Sequence, residues 1–418
     1  MTTETRPESP AYPFAARDGV DPDPGYADAR MAGAPVPVFL GGGRWAWLAT
    51  TMADVRTVHT DPRFSRAAAA GSANAPSAGL SPPAGSLLAL DPPDHTRMRG
   101  LVAGAFSARR MAQLRPKVAE RARGLLAARA GDDPADLVAG YARPLSAGVI
   151  GALLGVPESD HERFFAWAQA FLSTAPGSAP EIGRARGELA AYFGELLGRR
   201  ARSPEHDLLS HLAAQDADPR ELVLLAMAIL VAGHETTSNH LASSLMLLLS
   251  DPGTTSELRG DPEGVGQAVE ELLRAVSLGS VGGFPRRTTE SVVLSGVTIE
   301  AGDLVIPALN AANRDPAAFP QPDDLDFARF AKVPPTHVAF GAGPHFCLGA
   351  ALARIELAEG VSAVLDHYPE AELATPAAEL AWTRDSLVRG LVSLPVRLGP
   401  ATSSPSAETG KENQCTAP

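Results

Sequence analysis

Cys347 stands in Phe340-Gly341-Ala342-Gly343-Pro344-His345-Phe346-Cys347-Leu348-Gly349, a glycine-rich stretch that runs into a segment of helical apolar spacing. Glycines permit backbone conformations closed to other residues, and a helix start offers a partial positive field that favours a thiolate. A thiolate so placed can serve as a nucleophile, a metal ligand or a redox sensor. Taken alone, one cysteine also reads as inert core. What favours chemistry is its company, His337, His345 and the glycines Gly341, Gly343 and Gly349. A zinc cage wants more cysteine or histidine at short spacing than this stretch supplies.

A second group with chemical potential is Gly233-His234-Glu235-Thr236-Thr237-Ser238-Asn239-His240, which interrupts an apolar segment spanning 219–250. Burying unpaired polar groups costs about 1–3 kcal/mol each, so this centre must be paired, hydrated or functional. The Thr236 hydroxyl can bond back to the Ala232 carbonyl four residues earlier and loosen the helix, which Gly233 eases. The plainer alternative is a polar stripe facing a solvent channel or another helix.

These residues need a scaffold, and the chain has material for one. Of 418 residues, 45% are apolar and 20% charged, which describes a globular core. A net charge of −12 argues against a nucleic-acid-binding surface. The longest unbroken apolar run falls short of the ~20 residues that cross a bilayer. With Cys415 the only other cysteine, no disulfide framework is expected, and the chain reads as an unsecreted, cytoplasmic monomer. Helical spacing marks 94–106, 108–129, 136–154, 182–200, 219–250, 262–275 and 348–368. Strand patterning marks 36–40, 45–51, 291–299 and 391–398. The segment 219–250 opens with an Asp218 cap and a first-turn Pro219, and at 1.5 Å per residue it spans about 48 Å, the width of a domain. Residues 1–14 and 400–418 carry no apolar period and are expected to be unpacked and disordered, which leaves one unit over 15–399.

The cysteine stretch, read as Phe-Gly-x-Gly-x-His-x-Cys-x-Gly, resembles the haem-binding loop of the cytochrome P-450 family, the haem-thiolate monooxygenases. Ala232-Gly233-His234-Glu235-Thr236-Thr237 is similar to that family's central-helix pattern, and Glu271-Leu272-Leu273-Arg274 to its Glu-x-x-Arg pair, in matching order and spacing. Weaker likeness at Asp61-Pro62-Arg63-Phe64, Asp91-Pro92-Pro93-Asp94-His95 and Arg389-Gly390-Leu391 extends the resemblance over roughly 15–399, closest to the soluble bacterial class.

The resemblance implies a mainly α fold with a small β portion, a single large triangular prism with haem b between the central helix and the cysteine-loop helix. Cys347 would ligate the iron, with Phe340 packed beside it and backbone N–H groups after it, Gly349 included, turned to the sulfur. His95, Arg99, Arg286 and His345 match positions that bind the haem propionates. Glu235 and Thr236 match the acid–alcohol pair that relays protons to reduced dioxygen, and Ala232 would line the same groove. Glu271 and Arg274, with Arg329 as third member, would form a buried structural lock. Two departures stand out, Leu325 in place of the usual phenylalanine before Arg329, and Ser291 in place of an acid. His234 should point away from Glu235 on the helix and serve structure.

Pocket positions carried over from the family fall at 67–90, 164–180, 278–284 and 386–388. Mostly small or apolar, they suggest a mid-sized apolar substrate such as a polyketide, macrolide or terpenoid intermediate. Dioxygen is the co-substrate, and electrons would come from an iron–sulfur ferredoxin and its NAD(P)H-dependent reductase, docking on Arg97, Arg109, Arg110 and Arg354. Two other outcomes stay open: the same haem chemistry turned to coupling, desaturation or rearrangement, and a haem-free thiolate redox protein or cysteine hydrolase, which would need a base beside Cys347.

Overall fold

The computed structural model describes residues 9–14, 17–70, 82, 84–279 and 282–402. Its organising element is the central helix Pro219–Leu249, capped by Asp218, which accepts from the Arg220 backbone N–H, and started by Pro219. The helix is long and apolar enough to cross a membrane. It lies instead within the fold, and His234, Glu235, Asn239 and His240 are buried along its middle. Arg143–Leu154, Ala179–Arg202 and Ala350–His367 pack along it. Together with Arg115–Ala127 they enclose the largest apolar core.

The expected helix at 262–275 is found as Pro262–Ala275, capped by Asp261, and 348–368 as Ala350–His367. One expected helix is divided, at a proline. Pro116 cannot donate to the carbonyl four residues back, so 108–129 splits into Ala108–Ala112 and Arg115–Ala127. The expected helix at 136–154 runs unbroken from Val138 to Leu154, its first turn, Val138–Ala142, wound as a π-turn ahead of Arg143–Leu154. One helix that the spacing did not announce, His161–Leu172, buries only Phe164, Trp167 and Ala168.

Strands Val36–Gly41 and Arg44–Ala49 form a hairpin. They belong to a five-stranded sheet ordered Val36–Gly41, Arg44–Ala49, Leu304–Pro307, Arg286–Thr288, Phe64–Ser65. This sheet matters for function because it carries Arg286 inward. The expected strand at 391–398 shrinks to Pro395–Arg397, paired with Ala135–Asp136 and Glu372–Leu373.

Packed structure extends past 15–399 at both ends. Tyr12 is 4% exposed and donates its backbone N–H to the Phe39 carbonyl, and Thr402 donates its own to His367. Residues 12–14 were therefore misjudged as unpacked, because one buried aromatic in a polar segment leaves no periodic signal. Residues 1–8 and 403–418, with Cys415, lie outside the described residues.

Candidate active site

The cysteine loop closes on itself through the Cys347 N–H, which donates to the Phe340 carbonyl at 2.9 Å. Gly343 has φ +65°, and a Cβ there would lie 2.5 Å from the His59 carbonyl oxygen; only glycine lets the loop pass so close. Phe340 sits at the loop's base, 6.2 Å from the Phe346 ring and 4.7 Å beneath the Arg354 guanidinium. The Cys347 sulfur is accessible. Surrounding protein nonetheless raises the thiol pKa by desolvation, against the opposing effects of the Gly349 N–H, Arg99 and Arg354. A sulfur both reachable and desolvated lies on the wall of an internal recess. The helix begins only at Ala350, and its field by itself does not offset burial. Coordination to a metal deprotonates a thiol where a helix start cannot.

His95, Arg286 and His345 converge as expected. The His95 and His345 rings lie 4.2 Å apart, and Arg286 donates to the Phe64 carbonyl at 3.3 Å and approaches His59 Nδ1 at 3.4 Å. Arg99 lies close enough to lower the pKa of both His95 and Cys347. Two members were missed, His59 and Arg66, each set by long-range packing that the sequence does not display. Burial, then neighbouring cations, holds His59 at about 3 and His345 at about 2, and burial lowers Arg66 to about 9 and Arg286 to about 10. Asp91 faces this group but is engaged by Ser65 Oγ and the Arg66 N–H. Both His95 nitrogens, His345 Nε2, His59 Nε2, Arg66 Nε and Arg286 Nε are buried without a hydrogen-bond partner among the described residues. Two buried arginines, Arg66 and Arg286, set among neutral imidazoles with orphaned ring nitrogens form a receptor for anionic oxygens, and the two propionates of haem fit it.

On the central helix, the Thr236 hydroxyl donates to the Ala232 carbonyl at 2.6 Å, as its spacing suggested, and the helix runs through unbroken. Ala232 is exposed and Thr236 half-exposed, while His234, Glu235 and Thr237 are buried, so one side of the helix faces open space within the core. Glu235 turns the other way. Burial raises its pKa, opposed by Arg143 and the Asn239 amide. His234 does not point away from it: His234 Nε2 lies 4.0 Å from Glu235 Oε1, a correction due to the imidazole folding back along the helix.

The expected lock is present. Arg274 meets Glu271 through two bonds of 2.7 and 2.8 Å, Arg329 Nε lies 3.0 Å from Glu271 Oε2, and Arg274 also donates to the carbonyls of Asn313 and Pro322. Leu325 is 38% exposed, so its departure from phenylalanine removes little packing. Ser291 is exposed, and nothing in the structure explains it.

Beside this lock lies a second one that was not foreseen. Glu270 accepts from Arg354 Nε at 2.5 Å and pairs with His337 Nε2 at 2.9 Å, joining the helix Pro262–Ala275 to the segment before the cysteine loop and the helix after it. Burial alone would raise its pKa, but the hydrogen bonds from His337 and Arg354 hold it at about 2. Because the folded value is depressed, this stabilisation is complete above the unfolded carboxylate value of about 4.3 and disappears as pH falls toward 2. Glu270→Gln is expected to cost about 2 kcal/mol at pH 7 and much less at pH 3, measured by denaturant unfolding at both pH values. An equal loss at both would refute the carboxylate's role.

The alternative of a haem-free cysteine hydrolase finds no support. His345 is drawn to His95 rather than offered to the sulfur, and its low pKa makes it a poor base. A cysteine in a glycine loop, a cation pocket for two carboxylates and a threonine–carbonyl bond in a buried helix together define a haem-thiolate monooxygenase site.

Comparison with known proteins agrees. The cytochrome P-450 family model matches residues 199–375. The chain is 45% identical to nocardicin C N-oxygenase of Nocardia uniformis subsp. tsuyamanensis, over 94% of this chain and 99% of that protein. It is 42% identical to mycinamicin IV hydroxylase/epoxidase of Micromonospora griseorubida, with the same coverage. A crystal structure of HinD with NMFT and NO superposes with a TM-score of 0.87 at 42% identity, covering 94% of this chain and all of that one. The chain belongs to the cytochrome P-450 family, and it is a monooxygenase whose cofactor is haem.

Proposed function

We propose that this enzyme hydroxylates or epoxidises a mid-sized, largely apolar secondary-metabolite intermediate, with Cys347 as the iron ligand and His95, Arg99, Arg286 and His345, joined by His59 and Arg66, holding the propionates. Bound haem supplies one-electron reduction and activation of dioxygen. The protein's own part is to hold the sulfur, exclude bulk water and deliver protons. The observation that carries this reading is the pair at the helix centre: Thr236 opens onto the recess with its hydroxyl anchored to Ala232, beside a buried acid of raised pKa. Thr236 can then orient reduced dioxygen, and Glu235 can hold the proton to be transferred.

The substrate class rests on two supports. Relatives act on nocardicin C and on the macrolide mycinamicin IV, by their names. In addition, three of the four pocket segments are brought together here: Ser173 bridges Ser386, Gly279 bridges Val388, and the Arg389 N–H donates to the Leu278 carbonyl. Residues 71–81, 83 and 280–281 of the expected lining lie outside the described residues. A screen of macrolides, polyketides, terpenoids and amino-acid-derived metabolites for substrate-induced spectral shifts tests it, with product analysis to separate oxygen insertion from coupling, desaturation or N-oxygenation. Thr236→Ala is expected to lower product formed per NADH roughly tenfold, with hydrogen peroxide taking its place. Unchanged stoichiometry would remove Thr236 from the reaction.

Bacterial members of the family generally draw electrons from a ferredoxin and its reductase. Of the basic residues expected to dock it, Arg97 is committed to Glu221 at 2.6 Å and Arg354 to Glu270. Arg109 and Arg110 remain exposed on Ala108–Ala112, which packs against the cysteine helix, and no ion pair engages either among the described residues. Arg109→Glu with Arg110→Glu should raise the KM for an acidic ferredoxin roughly tenfold at low salt and less at high salt. An effect indifferent to salt would place the dock elsewhere.

A further inference from the structure

A group of buried polar atoms outside the haem pocket has no structural use in the fold as described. Arg143 Nε, His161 Nε2, both ring nitrogens of His234, and Glu235 Oε1 are all buried without a hydrogen-bond partner among the described residues. They come from the start of Arg143–Leu154, the start of His161–Leu172 and the middle of the central helix. Arg143 and His161 both act electrostatically on His234, and Arg143 on Glu235. Each unpaired group costs about 1–3 kcal/mol unless water satisfies it, so five of them in one place describe a hydrated seam.

The seam has an outer end. His161 is half-buried, and burial, then Arg121, lowers its proton affinity, opposed by the flanking charges of Glu158 and Asp160. Its ring lies over Gly151, where a Cβ would come within 2.5 Å of Nε2. At the inner end, His234 Nε2 is 4.0 Å from Glu235 Oε1, too long for a hydrogen bond and short enough to close by a small rotation. The Phe165 ring, 4.3 Å from the His234 imidazole edge to face, screens it on one side.

We propose that His161 and His234 form a proton inlet that loads the Glu235 carboxylate from the outer face of the fold, making both positioning residues in proton supply. The inference rests on Glu235 being the proton donor of the oxygen-activating pair. A hydronium ion or buffer acid gives its proton to His161, which passes one on through the seam. His234 accepts it on one ring nitrogen and releases the proton of the other to the Glu235 carboxylate. Glu235 ends as a carboxylic acid, and water in the seam restores the imidazole's starting tautomer. Burial lowers the pKa of His234 to about 4, with Arg143 and His161 adding to it, so His234 is neutral at rest and holds a transferred proton only briefly. Thr236 faces the recess and Glu235 faces this seam, which separates the side that uses the proton from the side that supplies it.

The test reads the Glu235 carboxyl directly. In the resting haem protein, the infrared C=O band that vanishes in Glu235→Gln is followed after transfer into D2O. His234→Phe and His161→Phe should each slow its hydrogen–deuterium exchange roughly tenfold. Gly151→Ala keeps both histidines but crowds His161 away, and should do the same; it also stands in if a histidine variant fails to bind haem. In turnover these variants should release more peroxide and show a larger solvent isotope effect. Exchange and coupling that match the parent protein in His234→Phe and Gly151→Ala, while Glu235→Gln still uncouples, would overturn the inlet alone. Normal coupling in Glu235→Gln would overturn the reading of Glu235 beneath it.

Discussion

Glu271→Gln is expected to yield little or no folded haem protein. Glu271 and Arg274 have no solvent-accessible side-chain surface, and Glu271 is the carboxylate shared by Arg274 and Arg329. Removing the charge strands two guanidiniums, one of them fully buried, and breaking such a pair from one side costs about 3–5 kcal/mol. That is a large share of the roughly 5–15 kcal/mol by which a domain is stable. The loss also spreads, because Glu271 Oε1 accepts the Asp326 N–H and Arg274 anchors the carbonyls of Asn313, Pro322 and Asp324, which shape the approach to the cysteine loop. Arg329→Ala should be milder, since Arg274 still neutralises the acid. Haem content and thermal unfolding of the two variants check this, and equal, small effects would show that the lock is not a stability element.

The second large effect is at Cys347. In Cys347→Ala the pocket proposed for the propionates, Arg66 and Arg286 among the imidazoles of His59, His95 and His345, is intact, so the protein should still take up haem, more weakly. Its reduced carbon monoxide complex should lose the thiolate-type Soret position, and monooxygenase activity should fall below detection. A thiolate supplies electron density that favours O–O cleavage, and no other side chain of the loop replaces it. A thiolate spectrum surviving the substitution would place the ligand elsewhere and end the functional reading. Weak but measurable haem uptake would in turn show that the propionate pocket is built by the fold independently of the sulfur.

Much of the site was legible because its key contacts are local. The Thr236 to Ala232 bond follows from helix geometry, four residues apart, and so does the Glu271–Arg274 pair, three apart. The start of the central helix followed from an aspartate cap and a first-turn proline. Where local signals conflicted, as at Pro116, the apolar period outweighed the missing backbone donor, and one divided helix was read as continuous.

The sequence by itself thus carried the haem-thiolate class, and the expectation of a ligand at Cys347, through the resemblance of short motifs, whereas the Thr236–Ala232 bond and the Glu271–Arg274 pair rest on residue type and short spacing. Only the tertiary structure decided that Glu270 joins His337 to Arg354, that His59 and Arg66 lie beside Arg286 and His345, and that His234 lies beside Glu235 with His161 within its electrostatic reach. Most of these contacts join residues far apart in the chain, and even the adjacent pair at 234 and 235 depends on side-chain rotamers set by packing. No period or propensity encodes such meetings, because they arise where helices cross and from how much water each crossing excludes.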